Sequence, residues 1–251
     1  MNKRLVISVF LCCQLFAVIC YAGEIPTINP YFNLQGRIID HDSLKLKTFS
    51  GDAPYAVTFY SGAQNTDGYD ATYEWRFYKD SHSSEPYLVR YEENTDFTFT
   101  ETGATVIELY ATFVKTEIKD TIRYTEEFWN GPDGDNLRLS ISIKPSLLSF
   151  PNAFSPNGDN LNDIYRAKKG YQSIVEFHAM IFNRWGQKIY EWFDPAGGWD
   201  GTHNGKDVKQ GVYFMLCKAK GADGRTYTIK TDVNLLRGYT SPGADGSESG
   251  F

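Results

Sequence analysis

Apolar and polar residues alternate with a period of two along much of the chain. The runs YAVTFY (55–60), TYEWRFY (72–78), DFTFT (96–100) and TVIELYATFV (105–114) all follow this pattern. A period of two, filled by β-branched and aromatic residues, predicts half-buried strands. The polar segments SGDAP, SGAQNTDGYD and TETGA punctuate them as turns. Further along, SIVEFHAMIF (173–182), QKIYEW (187–192), GVYFMLCKA (211–219) and RTYTIKTDVNLL (225–236) read as a second set. NRWG and GADG sit between members of that set, each with a glycine placed for a hairpin turn. No stretch of a dozen residues holds a helical period, so the pattern predicts an all-β protein.

The two sets meet at KPSLLSFPNAF (144–154), which reads as a seam. The expected organisation is two tandem immunoglobulin-like β-sandwich domains, residues 23–145 and 146–237. A polar, glycine-rich segment, 238–251, is expected to be a flexible tail. Composition supports the fold class: 16% of the 251 residues are aromatic, with 17 Tyr and 17 Phe.

The beginning of the chain has a different character. Lys3 and Arg4 precede an apolar run, 5–19, and CYA (20–22) offers a cleavage point before Gly23. This is the pattern of a cleaved signal peptide over residues 1–22. The run is too short for a membrane span, so no transmembrane span is expected in the mature chain. Cys20 raises a lipidation question, although Ile19 stands where a lipoprotein signal usually has a small residue. Cys12, Cys13 and Cys20 leave with the leader. Cys217 then remains alone and no internal disulfide is possible, which points to a bacterial exported protein stabilised by its cores. Cys217 lies in an apolar run and reads as a small buried hydrophobe.

Charge divides along the same seam. Residues 23–145 carry 20 acidic against 11 basic side chains, a net of −9, while 146–251 carry 11 against 12, a net of +1. Neither half shows a basic stripe, so no nucleic-acid partner is expected.

Four motifs of the second half, FPNAFSPNGDNLNDIYR, FNRWGQKIYE, WDGTHNGKDVKQGVYFMLCKA and DVNLLR, occur in that order. Together they resemble the gliding-motility-associated C-terminal domain family, the type B sorting domain of the type IX secretion system. The resemblance spans 148–237. It implies export to the cell surface or the medium and recognition by type IX outer-membrane components. Members usually stop shortly after the final arginine, whereas 14 residues follow Arg237 here. More loosely, APYAVTF, YEWRF and FTFTETGATVIELYA resemble PKD-type immunoglobulin-like domains, which serve as spacers or binding modules and imply no catalysis.

The run PNAFSPNGDNLND (151–163) has two competing readings. Its short polar side chains cap turns by bonding nearby backbone, with Gly158 taking a backbone conformation other residues avoid. Alternatively Asn157, Asp159, Asn162 and Asp163 supply the hard oxygens that Ca²⁺ takes. The EF-hand template does not fit, because the place of its bidentate Glu falls on Lys168. With only two carboxylates, affinity would be weak, at roughly 10⁻⁴–10⁻³ M.

In WDGTHNG (199–205), Trp199 either packs inside or stacks on a sugar. EEFWNGPDGDN (126–136) reads as a solvated loop with a turn at Pro132. The alternative is a cation held by Asp133 and Asp135 with Glu126 or Glu127. Four scattered His (41, 82, 178, 203) show no metal spacing, and no nucleophile or phosphate-loop motif is present. The sequence therefore predicts a non-catalytic exported protein. Its first domain is expected to serve adhesion, to bind a surface glycan or host protein, or to act as a spacer. The alternatives are a periplasmic or outer-envelope structural subunit and a carbohydrate-active enzyme.

Overall fold

The computed structural model describes residues 24–40, 48–79, 84–130 and 138–238. The predicted leader, the segment 239–251, His41, His82, Pro132, Asp133 and Asp135 lie outside the described residues.

Alternation produces strands nearly everywhere it was expected, and the fold is all-β. Strand β1 (Tyr31–Leu34) turns into β2 (Arg37–Asp40) through Gln35 and Gly36, which take φ values of 53° and 92°. Two positive φ angles in a two-residue loop match the twist of the flanking strands. Antiparallel pairing continues to β4 (Tyr55–Tyr60) and β7 (Thr95–Phe99), giving a sheet ordered β2-β1-β4-β7. The facing sheet uses β3 (Thr48–Gly51), β5 (Asp70–Tyr78), β6 (Leu88–Arg90), β8 (Gly103–Lys115) and β10 (Leu139–Ile143). Its order is β3-β10-β8-β5-β6, with β3 parallel to β10. The 13-residue β8 is long enough to pair first with β10 and then with β9 (Asp120–Tyr124).

Between the sheets lie Phe32, Phe59, Trp75, Phe77, Ile107, Leu109 and Phe113, all without exposed surface. Trp75 is central: its ring packs 5.5 Å from Phe59 and 6.2 Å from Phe32, and its indole N–H donates to the Glu93 carbonyl. Burying such rings removes about 150–250 Å² each from water, the main stabilising term in a core of this kind.

One expectation needs correction. EEFWN is not a loop: it forms a short helix, α1 (Glu126–Asn130). Trp129 is wholly buried and donates to the Leu109 carbonyl. Arg138 ties the helix down by pairing with the buried Glu108, with Glu126 and with the Asn130 amide oxygen. Long-range partners thus fold a segment too short to show a period of its own.

After the seam the chain forms a five-stranded sheet, β11-β17-β16-β12-β13. Its members are β11 (Ala153–Phe154), β12 (Ile174–Phe182), β13 (Lys188–Trp192), β16 (Gly211–Gly221) and β17 (Thr226–Leu235). The ribbon β14 (Thr202–His203) and β15 (Lys206–Asp207) and a Tyr165–Trp199 bridge lie outside this sheet. A second core gathers Phe154, Tyr165, Ala179, Ile181, Trp199, Met215, Cys217, Val233 and Leu235.

The two cores meet at a narrow joint. Ala222 belongs to the first core and Val175 packs against it. The Ala53 N–H donates to the buried Ser173 hydroxyl (3.1 Å), and the Thr102 N–H to the Ala222 carbonyl (3.1 Å). Asp223 accepts from the Ser146 hydroxyl (2.7 Å) and from the Ser146 N–H (3.2 Å). Among the described residues, no helix is long and apolar enough to cross a membrane.

Candidate functional site

The run 151–163 is a loop built by its own acceptors. Asp163 sits at its centre, accepting the backbone N–H groups of Gly158 (2.8 Å), Asn157 (2.9 Å) and Asn160 (2.8 Å). The Gly158 N–H, aided by those of Asn160 and Asn157, holds the Asp163 carboxyl below its ordinary range. Asn157 accepts from the Asp159 N–H, and Asp159 accepts from the Leu161 N–H and the Asn157 amide. Asn160 and Asn162 take left-handed φ values of 65° and 55°, which asparagine tolerates better than most residues. Asn162 takes part through its backbone, its carbonyl accepting the Ser155 N–H at 2.9 Å.

Asn157, Asp159, Asn162 and Asp163 are therefore brought together, in an arrangement where N–H groups already occupy the oxygens of Asp163, Asp159 and Asn157. Among the described residues, no three His, Cys, Asp or Glu side chains cluster as metal ligands.

The loop is fixed to the second core at both ends. Tyr165, wholly buried, donates its hydroxyl to the Pro151 carbonyl (2.9 Å), and burial raises its phenol pKa. The Tyr165 backbone exchanges hydrogen bonds of 2.8 and 2.9 Å with Trp199. Gly198 permits this approach, since a Cβ there would stand 2.6 Å from the Tyr165 carbonyl oxygen and from Ile164. Trp199 is itself buried among Phe154 and Tyr213 and donates to the Thr202 carbonyl (2.7 Å). It has no face free for stacking on a sugar.

Arg237, two residues beyond β17, closes the assembly. Its guanidinium donates to the carbonyls of Gly201 (2.6 Å), Val208 (3.1 Å) and Pro156 (3.4 Å) and pairs with Asp207 (3.2 Å). A planar fork of donors suits several carbonyls at once. Arginine closing the DVNLLR motif was visible in the sequence, but its three distant acceptors were not.

Between the loop and the segment that follows lies an open groove of about 630 Å³, lined by Leu161, Asp163, Ile164, Arg166, Lys168 and Lys169 among others. Leu161 and Ile164 are exposed at 49% and 40%. The three cations have no ion-pair partner among the described residues. In sequence RAKK (166–169) is an ordinary tetrapeptide, and it gains a setting only once the loop folds beside it. Of the other residues singled out, Glu126 pairs with Arg138, and Glu127 lies on α1. His178 meets Glu191 (2.8 Å) and His203 meets the Ile189 carbonyl (2.7 Å), each away from this groove. Cys217 is buried, and its thiol pKa is pushed up to about 12, so it is held as a neutral thiol.

Three solved structures resemble the chain at low superposition. They are dimeric latent PorU from Porphyromonas gingivalis (12% identity, TM-score 0.24, 90% of this chain and 21% of that one), Drosophila N-cadherin EC1-4 (16%, 0.23, 84% and 51%), and SGBP-B of the Bacteroides ovatus mixed-linkage glucan utilization locus, in complex with a mixed-linkage heptasaccharide (10%, 0.21, 81% and 47%). The chain thus spans between about a fifth and about half of their lengths, and scores this low carry no functional argument. The sequence matches no curated protein. Residues 148–232, which hold the loop, the groove and most of the second core, match the family model of the CHU_C Type IX secretion signal domain.

Proposed function

We infer that the protein is exported and sorted by the type IX secretion apparatus, and that residues 148–237 are the address it carries. The family match over 148–232 carries this reading. A signal domain of this type implies delivery to the cell surface or beyond. The structure supports a folded address rather than a linear one: the motifs that form it are far apart in sequence and meet through the β11–β17 and β12–β16 pairings and through Tyr165, Trp199 and Arg237. Recognition by a folded surface requires no chemistry, and the protein is read as non-catalytic. The first domain is the cargo, an adhesion, binding or spacer module. Its exposed Tyr87 and Tyr91, at 42% and 71%, give it aromatic surface for such contacts.

The test is fractionation with surface proteolysis in a bacterium that has the type IX apparatus. The full chain should reach the surface or medium. A chain ending at Lys144 should remain in the periplasm. Equal surface exposure of both would refute the assignment.

A further inference from the structure

We propose that the groove between the 151–163 loop and the Arg166–Lys169 segment is a docking surface for an acidic, apolar-bearing stretch of a partner protein. This rests on the reading of residues 148–237 as an address and names the face that is read.

Two carboxylates lie beside three cations in sequence, so local neutralisation would be the simple outcome. The fold prevents it. Asp163, although it lines the groove, is engaged by three backbone N–H groups, and Asp159 by the Leu161 N–H and the Asn157 amide. Arg166, Lys168 and Lys169 are consequently left exposed with no acidic partner among the described residues. The same loop holds Leu161 and Ile164 out into solvent at the groove wall, although a buried core begins at Tyr165 next to them. A loop held by its own hydrogen bonds that keeps two aliphatic side chains exposed beside three cations without ion-pair partners among the described residues presents a mixed surface. Its complement is a strand or loop carrying Asp or Glu around an apolar residue. Complementary rim charges steer association and select against wrong partners, while the apolar centre supplies the contact.

Photo-crosslinking in a cell with the type IX apparatus tests this, using the full chain. A photoreactive residue replaces Leu161 or Ile164 in turn, and Val212 on the opposite sheet face as a control. The crosslinked partner segment is sequenced. The expected product is a segment with more Asp and Glu than Lys and Arg and with an apolar residue at the crosslink. The triple variant R166E/K168E/K169E should lower its yield by about tenfold or more and lower export in parallel, with Cys217 still protected from thiol reagents as proof of folding. A neutral or basic segment, a lipid or glycan adduct, no adduct, or a yield unchanged by charge reversal overturns the proposal. If the wild-type chain is exported and the triple variant is exported equally, the groove is not the face that is read, while the address reading stands. If the wild-type chain is not exported at all, the address reading fails, and the crosslinked segment alone decides the groove.

Discussion

Replacing Trp199 with alanine is expected to open the second core without touching any exposed surface. Trp199 has no exposed area, packs 5.3 Å from Phe154 and 5.1 Å from Tyr213, and donates its indole N–H to the Thr202 carbonyl. Truncating a buried tryptophan costs about 3–5 kcal/mol, and the hydrogen bond adds about 1 kcal/mol. A reporter is already in place. Cys217 is the single cysteine of residues 23–251 and sits on β16, paired with Ala179 on one side and Ile229 on the other. A thiol reagent reaches it only when that central strand is released. If opening and closing are fast relative to labelling, the labelling rate follows the open population. At about 1.4 kcal/mol per tenfold, even 3 kcal/mol raises it by about a hundredfold. Labelling of residues 23–251 with Ellman's reagent in low urea measures it. Phe193→Ala is the control: that ring is 67% exposed and lies against His178, so the rate should change by less than about threefold. A rise below about tenfold for Trp199→Ala, or an equal rise for Phe193→Ala, would refute the placement of Trp199 as a core residue.

Arg237→Ala should destabilise the second core by about 2 kcal/mol, read as a lower urea midpoint. Arg237→Lys should recover only part of this, because one ammonium cannot reach three carbonyls. Asp163 and Asp223 have carboxyl pKa values held below their ordinary values in the folded chain. Their stabilisation is present above about pH 4 and lost as pH falls through the folded values. Thermal unfolding between pH 5 and 2 should therefore fall less steeply for Asp163→Asn than for the wild-type chain. Millimolar Ca²⁺ should leave the melting temperature unchanged, because Asp163, Asp159 and Asn157 would have to exchange the N–H bonds that hold the loop for metal contacts. A rise of several degrees would instead assign calcium to that loop.

Period-two patterning was sufficient for most strands. YAVTFY is β4 residue for residue, and GVYFMLCKA lies within β16. The turn at NRWG was equally legible, since Gly186 takes φ 78° as the hairpin needs. Four-residue strands such as β1 and β2 are too short to show a period, and β3 is held by a parallel partner 92 residues away, Thr48 against Ser140. The short helix of EEFWN was hidden for the same reason: its stability comes from Leu109 and Arg138, not from its own sequence. Within the candidate site, the turn-forming character of SPNGDNLND could be read directly. What could not be read was the direction of each acceptor. Whether Asp163 faces a cation, a lysine or three N–H groups depends on φ values at Gly158, Asn160 and Asn162, which no spacing rule supplies.

The joint at Ser173 bears on how portable the second domain is. Grafting residues 148–238 alone behind a foreign passenger would strip the Ser173 hydroxyl of its Ala53 donor and the Ala222 carbonyl of Thr102, and would uncover Val175. Asp223 would lose the serine that clasps its turn. A transplant that begins upstream of Ser146 and supplies some backbone donor opposite Ser173 keeps the element intact; one cut flush at the seam starts life with a frayed edge.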